Sequence, residues 1–106
     1  MVNRILMAGV YFHQKYPGSI IFYRLGEYYT AFQDDAERAA SILRRKINTD
    51  NSNISYLQIT RSEFLDAVEA LALCGISAKG LVFRDDNGNL TVPDVSDLLE
   101  ETEMDY

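Results

Sequence analysis

The sequence is poor in the residues that anchor covalent cross-links, metals and general-base chemistry. It has one cysteine, one histidine and two prolines in 106 residues. A single cysteine excludes an internal disulfide. No apolar run approaches the roughly 20 residues that cross a membrane, and the first residues lack a signal-peptide pattern. We therefore expect a cytoplasmic protein without a membrane partner.

Motifs for nucleotide and metal chemistry are also missing. No Gly-rich segment ends in Lys-Ser or Lys-Thr, which excludes nucleotide hydrolysis by a phosphate loop. Asp34-Asp35 has no third metal ligand spaced nearby. The segment 85–88, Asp-Asp-Asn-Gly, shares part of a calcium loop but lacks its closing Glu, so a hairpin turn is expected there. We expect no metal, no cofactor and no bound nucleotide.

The two residues most often used in catalysis stand in unpromising surroundings. His13 lies in a helical stretch without a Ser or Cys partner, which argues against a general base. Cys74 stands among apolar residues and has no basic neighbour, so we expect a buried core thiol. The sequence therefore favours a chain that is not an enzyme.

The chain lacks the basic excess that is typical of nucleic-acid binding. Its net charge is −6, from 16 acids and 10 bases. Residues 93–106 carry six acids and no base, so residues 1–92 hold 16 − 6 = 10 acids against 10 bases. Phosphate neutralisation supplies most non-specific DNA affinity, and a neutral body gives little of it. The acidic end opposes such binding further.

Hydrophobic spacing and turn residues predict an α+β domain. We expect helices over 3–16, 34–46 and 60–73, and strands over 19–25, 28–32, 54–59, 77–84 and 90–92. Residues 48–53 are expected to be a polar loop, and Asp94 or Ser96 to cap a short last helix. The order αββαβαββα predicts a mixed sheet with helices packed over it. Residues 1–99 would form the domain and 100–106 a poorly ordered acidic tail.

Capping residues define the expected ends of the two central helices. Asp34 is expected to cap the second helix, with Glu37 three residues later completing a capping box. Thr60 and Glu63 form the same pattern before the third helix, which Gly75 would end as a C′ glycine. The basic run 44–46 suits the negative pole at the end of the second helix.

One stretch, residues 20–40, carries a family pattern. It reads Phe-Tyr-Arg-Leu-Gly-Glu over 22–27, Tyr-Tyr-Thr-Ala-Phe over 28–32, and Asp-Asp-Ala-Glu-Arg-Ala over 34–39. This resembles the N-terminal mismatch-recognition domain of MutS, the DNA mismatch-repair ATPase. That family has an aromatic strand, Arg-Met-Gly-Asp, Phe-Tyr-Glu-Leu-Phe, then Asp-Asp-Ala-Lys-Arg-Ala. The first forty residues match well, and the second half matches in its layout of strand, helix and strand.

The resemblance implies a DNA-binding domain with three candidate contact residues. In the family a Phe stacks on the mispaired base and a Glu two residues later hydrogen-bonds it. The matching positions hold Tyr28 and Thr30, and Arg24 is a candidate phosphate contact. Tyr28 keeps a ring that could stack, whereas Thr30 loses the carboxylate and its reach. The resemblance implies double-stranded or mismatched DNA as the partner, with weak or degenerate mismatch reading.

The residues leave other functions open. Tyr28 could instead pack across the sheet as one more aromatic of its face. Exposed tyrosines also mark protein interfaces, so a protein-interaction module that kept the fold and lost DNA recognition is an alternative, with another protein as partner. A structural remnant of a duplicated or mobile gene is a third possibility.

Overall fold

A computed structural model describes residues 2–91, and these form three helices and seven strands. The helices are α1 (Val2–Lys15), α2 (Gln33–Leu43) and α3 (Arg61–Leu73). The strands are β1 (Ile20–Leu25), β2 (Tyr28–Phe32), β3 (Asn48–Thr49), β4 (Ser55–Thr60), β5 (Ala78–Leu81), β6 (Phe83–Arg84) and β7 (Leu90–Thr91). None of the described helices is long and apolar enough to span a bilayer.

Five strands form one mixed sheet in the order β3-β4-β2-β1-β5. β1 runs parallel to β5, while the other neighbouring strands pair antiparallel. β6 and β7 pair with each other in a separate two-stranded sheet. The predicted α+β class and the helix-covered mixed sheet are thus confirmed.

Each face of the sheet carries its own core. On one face Phe22, Ala31 and Leu57 pack under α2 and α3, whose contacting residues include the small Ala36 and Ala39. The small side chains let α2 approach the strands closely. On the opposite face the core is formed by α1 and β1, through Ile5, Ala8, Phe12, Ile21 and Tyr23. Two-sided burial explains why β1 is a nearly continuous apolar run.

The start and end of α3 agree with the capping prediction. The Thr60 hydroxyl accepts from the Glu63 backbone N–H at 3.2 Å, and the Glu63 carboxylate accepts from the Thr60 N–H at 2.9 Å. At the other end Gly75 has a φ of 77°, the left-handed conformation of a C′ glycine. The helix is therefore bounded by local signals that the sequence displays.

The capping box of α3 leads us to expect that the stability of the fold depends on pH. Arg45 first, and then the Thr60 backbone and hydroxyl, lower the pKa of Glu63 from 4.5 to about 2. A carboxylate whose folded pKa is depressed stabilises the fold above its unfolded pKa and loses that effect as pH falls. We expect Glu63→Gln, which keeps an acceptor oxygen, to melt below the wild type near pH 7. The difference in Tm should vanish as pH falls from 4.5 towards 2.

Thermal melts of both proteins across this pH range measure the difference directly. The difference should be small, because the Glu63 and Arg45 side chains are both about two-fifths exposed and water screens the pair. A Tm difference between the two proteins that stays constant down to pH 2 would show that the charge of Glu63 does not stabilise the fold.

The prediction for both ends of α2 was wrong. The N-cap position is held by Phe32, and no side chain caps the helix, so Asp34 and Glu37 form no capping box. Gln33 has a φ of 52°, which turns the next residues so that Asp35, not Asp34, is buried. The helix ends at Leu43 because Arg44 is left-handed, with a φ of 56°. Arg45 then lies outside the helix and pairs with Glu63 on α3 at 2.5 Å.

Further differences concern strands and exposed positions. Asn48–Thr49, expected in a loop, is an edge strand beside β4, and the strand expected over 77–84 is split into β5 and β6.

Cys74 is exposed, contrary to the expected core thiol, because it follows the last turn of α3. On the same helix Leu65 is exposed, whereas Ala67 is buried. The expected return strand through Val92, the last helix and the acidic tail at 100–106 lie outside the described residues, wholly or in part.

Candidate nucleic-acid interface

The β1–β2 hairpin places the first candidate residue at its tip. Gly26 and Glu27 form the two-residue turn, and Gly26 has a φ of 61°, which suits a tight hairpin. Tyr28 follows at once and lies opposite Leu25 of β1 and Thr60 of β4. The turn therefore puts Tyr28 at the end of the sheet, where strand pairing begins.

The two adjacent tyrosines at this tip lie on opposite faces of the sheet and make different contacts. Tyr29 faces α3 and stacks on Phe64, with ring centres 4.0 Å apart and planes 12° apart. Tyr28 points to the other face, is 42% exposed and makes no ring contact within residues 2–91. Because Tyr29 supplies the aromatic packing, the Tyr28 ring is left available to a partner.

Thr30 lies on the same face as Tyr28 but under the surface. It is 3% exposed, between Tyr23 of β1 and Gln58 of β4. Its hydroxyl is enclosed and has no hydrogen-bond partner in the described part of the chain. Thr30 therefore presents no polar group at the surface in this conformation.

Arg24 lies on the opposite face from Tyr28 and Thr30. Its Nε donates a 2.6 Å hydrogen bond to the Gly26 carbonyl, and its guanidinium lies 5.7 Å from the centre of the Tyr29 ring. Both contacts stabilise the hairpin on the face of the sheet that packs against α3. The structure thus brings Tyr28 and Thr30 onto one face but leaves Arg24 on the other.

The structure adds a polar neighbour that the sequence reasoning missed. Gln58 pairs with Thr30 across β2 and β4 and is exposed, and its side chain makes no hydrogen bond within residues 2–91. α1 packs over β1, so the β4 side of this face is left largely uncovered. We call Tyr28, Tyr56, Gln58 and Thr60 the open face. The position of Gln58 between the apolar Leu57 and Ile59 indicates an outward-facing residue, but its pairing with Thr30 is known only from the register of the sheet.

Charge near the open face is balanced. Glu27 is exposed in the turn beside Tyr28, and Arg61 is exposed directly after Thr60. Because these two charges are of opposite sign, aromatic and amide groups, rather than a cluster of positive charge, characterise this surface. Among the residues described, no group of three His, Cys, Asp or Glu side chains could hold a metal ion.

His13, set aside as a general base for want of a partner, is engaged with an acid. Its Nε2 lies 2.6 Å from a buried Asp35 oxygen and its Nδ1 lies 2.6 Å from the Gly9 carbonyl. The same Asp35 oxygen accepts from the Ile21 backbone N–H at 3.1 Å. Both ring nitrogens are thus occupied, and the pair ties α1 to β1 and α2.

A comparison with protein families supports the resemblance in residues 20–40. The family described as MutS domain I matches residues 9–80, which is 72 of the 106 residues. The match runs from the middle of α1 through the hairpin, α2 and α3 to Gly80 of β5. It covers the whole five-stranded sheet except the last residue of β5. The chain therefore belongs to the MutS domain I family.

Proposed function

We propose that this chain binds duplex DNA through the open face, with the Tyr28 ring stacking at a base step. The observation that carries the proposal is the exposed Tyr28 at the hairpin tip, next to a Tyr29 that already fills the packing role. Domain I is a DNA-binding part of MutS, and family membership supports the same general partner here. The role is binding without catalysis.

Gln58 is the proposed hydrogen-bonding group of this surface. Thr30 is buried at the position where the family carries its base-contacting Glu, whereas Gln58 is exposed directly across from it. An amide offers both a donor and an acceptor, so it can contact several base edges or a sugar oxygen. We therefore propose contacts that tolerate many sequences, with little preference for mismatches.

The affinity should be modest. The body of residues 1–92 is neutral by sequence and charges near the open face are balanced, so few phosphates would be neutralised. We expect dissociation constants of roughly 10⁻⁴ to 10⁻⁶ M for duplex DNA at physiological salt, the range of non-specific binders. Fluorescence anisotropy with matched, mismatched and bulged duplexes measures this, and nanomolar mismatch binding would contradict it.

Tyr28→Ala is expected to cost about 1–2 kcal/mol of DNA affinity, the lower part of the range for one stacked base, because the ring stands on an open surface. Tyr28→Phe should retain or improve affinity, since the hydroxyl no longer has to lose water between bases. Anisotropy titrations and thermal melts on the same samples separate binding from folding.

Tyr29→Ala serves as the matched control. It removes a ring of the same kind from the next position, but this ring stacks on Phe64, so we expect a lower Tm. A Tyr28→Ala protein with an unchanged Tm and unchanged DNA affinity would remove base stacking from this chain.

A protein-interaction module is the second candidate, favoured by apolar side chains on the outer side of α3. Leu65 is 72% exposed and Leu73 is 84% exposed, far more than packed leucines. If Tyr28→Ala leaves DNA affinity unchanged, Leu65→Ser and Leu73→Ser become the informative variants. Analytical sedimentation of each purified variant at rising concentration measures self-association. It tests whether this side of α3 joins two copies.

A further inference from the structure

Two lysines and two tyrosines cluster beside the C-terminal end of α1. The Lys15 ammonium lies 6.0 Å from the centre of the Tyr11 ring and 5.8 Å from the centre of the Tyr16 ring. The Lys79 ammonium of β5 lies 5.5 Å from the centre of the Tyr16 ring. Neither lysine forms an ion pair with another residue of 2–91. We call these four residues the lysine–tyrosine patch, and it presents two positive charges that a carboxylate could pair with.

The patch continues into apolar surface that α1 covers only in part. Leu81 and Phe83 are half-buried against the core formed by α1 and β1, as is the Tyr11 ring. We call Tyr11, Leu81 and Phe83 the apolar strip. Partly exposed apolar surface next to unpaired lysines favours a partner that carries both apolar side chains and carboxylates.

A segment of this chain with both properties begins beside the strip. The last residue of β7, Thr91, pairs with Phe83 of β6. Residues 94–101 follow closely in the sequence and hold four acids and no base. They belong to the last helix that the sequence predicts, and their apolar residues have the i, i+3, i+4 spacing of one helical face: Val95, Leu98 and Leu99. The segment therefore combines an apolar stripe with carboxylates.

The segment is also long enough to reach the lysines. The path from Phe83 through Phe12 and Tyr11 to the Lys15 ammonium consists of three contacts of 5.5, 5.1 and 6.0 Å. Two extended residues and eight helical residues together span about 19 Å, which is longer than this path. The segment can therefore cross the whole apolar strip.

Charge distinguishes this surface from two other apolar surfaces of the domain. On α3, the exposed Leu65 stands among the exposed acids Asp66 and Glu69, which would repel an acidic segment. A cavity of about 430 Å³ between α1 and α2 is lined by Arg38, but Asp34 lines it too and offsets that charge. Of these three surfaces, the lysine–tyrosine patch alone offers an excess of positive charge.

We propose that residues 94–101 dock on the apolar strip and the lysine–tyrosine patch of the same chain. The apolar stripe would lie against Tyr11 and Phe83, and the carboxylates would face Lys15 and Lys79. The patch lies on the β5 side of α1, whereas the open face lies on its β4 side. This proposal is therefore independent of DNA binding, and docking would hold four acids away from the open face.

A nitroxide label in the full chain tests where the segment lies. The single cysteine, Cys74, is exposed and can be replaced by serine, and Met104→Cys then carries the label just beyond the proposed helix. In nuclear magnetic resonance spectra we expect the amide signals of Lys15 and Lys79 to lose more intensity than that of Tyr28. A larger loss at Tyr28 would place the segment on the open face, and an equal loss at all three would show that it is unattached. Either result would overturn the proposal.

A mixing experiment shows whether the contact is made within one chain. Nitroxide-labelled chains without isotope enrichment are mixed with isotope-enriched chains that carry no nitroxide. We expect the signals of the enriched chains to keep their intensity, because each segment docks on its own domain. Loss of the Lys15 and Lys79 signals in this mixture would assign the contact to two copies and overturn the proposal.

Variants of the full, labelled chain separate charge from apolar contact. Lys15→Glu with Lys79→Glu should restore the patch signals, because the segment would then meet like charges. Lys46→Glu with Arg61→Glu is the matched control, since both residues are exposed and lie outside the patch. Leu98→Ser should also release the segment, and an ionic strength of about 1 M, where the Debye length is about 3 Å, should weaken docking. Unchanged signal loss in the double lysine variant would contradict the assignment.

Discussion

Asp35→Ala is expected to lower the free energy of unfolding by about 3 kcal/mol, since it strips partners from a buried backbone donor and from His13. Asp35 is 6% exposed, and one of its oxygens accepts from Ile21 N–H at 3.1 Å and lies 2.6 Å from His13 Nε2. With Ala at position 35 the Ile21 N–H would lie inside the fold without an acceptor. Denaturant unfolding followed by circular dichroism measures the change.

The neighbouring acid provides a matched control. Asp34 is exposed and caps nothing, so Asp34→Ala should change stability by no more than about 0.5 kcal/mol. Asp35→Asn keeps one acceptor oxygen in nearly the same shape and should fall between the two. If Asp34→Ala proved the more costly variant, Asp34 would be the capping residue that the sequence predicts, and Asp35 would not be the acid that holds β1.

His13 explains why this acid is costly to remove. A backbone carbonyl only accepts, so His13 Nδ1 donates to Gly9, while Nε2 lies 2.6 Å from the Asp35 carboxylate. Asp35 contacts His13 of α1 and Ile21 of β1 from its place in α2, so a single carboxylate joins three elements of the fold.

Local signals in the sequence were sufficient for the elements that are closed by near neighbours. The hairpin turn at Gly26, the capping box of Thr60 and Glu63, and the C′ glycine at 75 each depend on residues within a few positions. α2 depends instead on distant partners. At its start, the Asp35 carboxylate accepts a hydrogen bond from Ile21 of β1, fourteen residues away. Beyond its end, Arg45 forms an ion pair with Glu63 on α3. No spacing rule within the helix reveals either contact.

The candidate site divides in the same way. The family pattern around residues 20–40 was enough to single out Tyr28, because the tip of a hairpin is a local feature. The burial of Thr30 and the exposure of Gln58 follow from which strands pair and from how far α1 extends over the sheet. Arg24 lies on the opposite face from Tyr28, and only the strand register shows this, because it pairs Arg24 with Tyr29.

The stack behind the hairpin depends on one residue without a side chain. Gly80 of β5 lies beneath Phe64, and a Cβ at this position would stand 2.5 Å from Phe64 Cζ and 3.0 Å from Tyr29 Cε1. Phe64 cannot move aside easily, because it packs edge-on against Phe22 with ring centres 5.5 Å apart and stacks on Tyr29. The strand itself is extended at this point, so space and not backbone conformation is what requires glycine.

Gly80→Val is therefore expected to destabilise the fold by about 3 kcal/mol, at the upper end of the usual cost of overpacking, although valine favours strands. Chemical denaturation of Gly80→Val, Phe64→Leu and the double variant measures the coupling. Phe64→Leu shortens the group that meets the new side chain, so the double variant should be more stable than the sum of the two single losses. Strict additivity would show that the Phe64 ring is not what excludes a side chain at position 80.

The same variant tests whether the aromatic stack positions the hairpin tip for binding. Displacing Phe64 should shift Tyr29, and Tyr29 is bonded directly to the residue proposed to stack on DNA. In the fraction that remains folded, Gly80→Val should then weaken DNA binding, although Gly80 faces away from the open face. Phe64→Leu should restore part of that binding together with the stability. Recovery of stability without recovery of DNA affinity would mean that the stack supports the core alone, and that Tyr28 is positioned by the turn at Gly26.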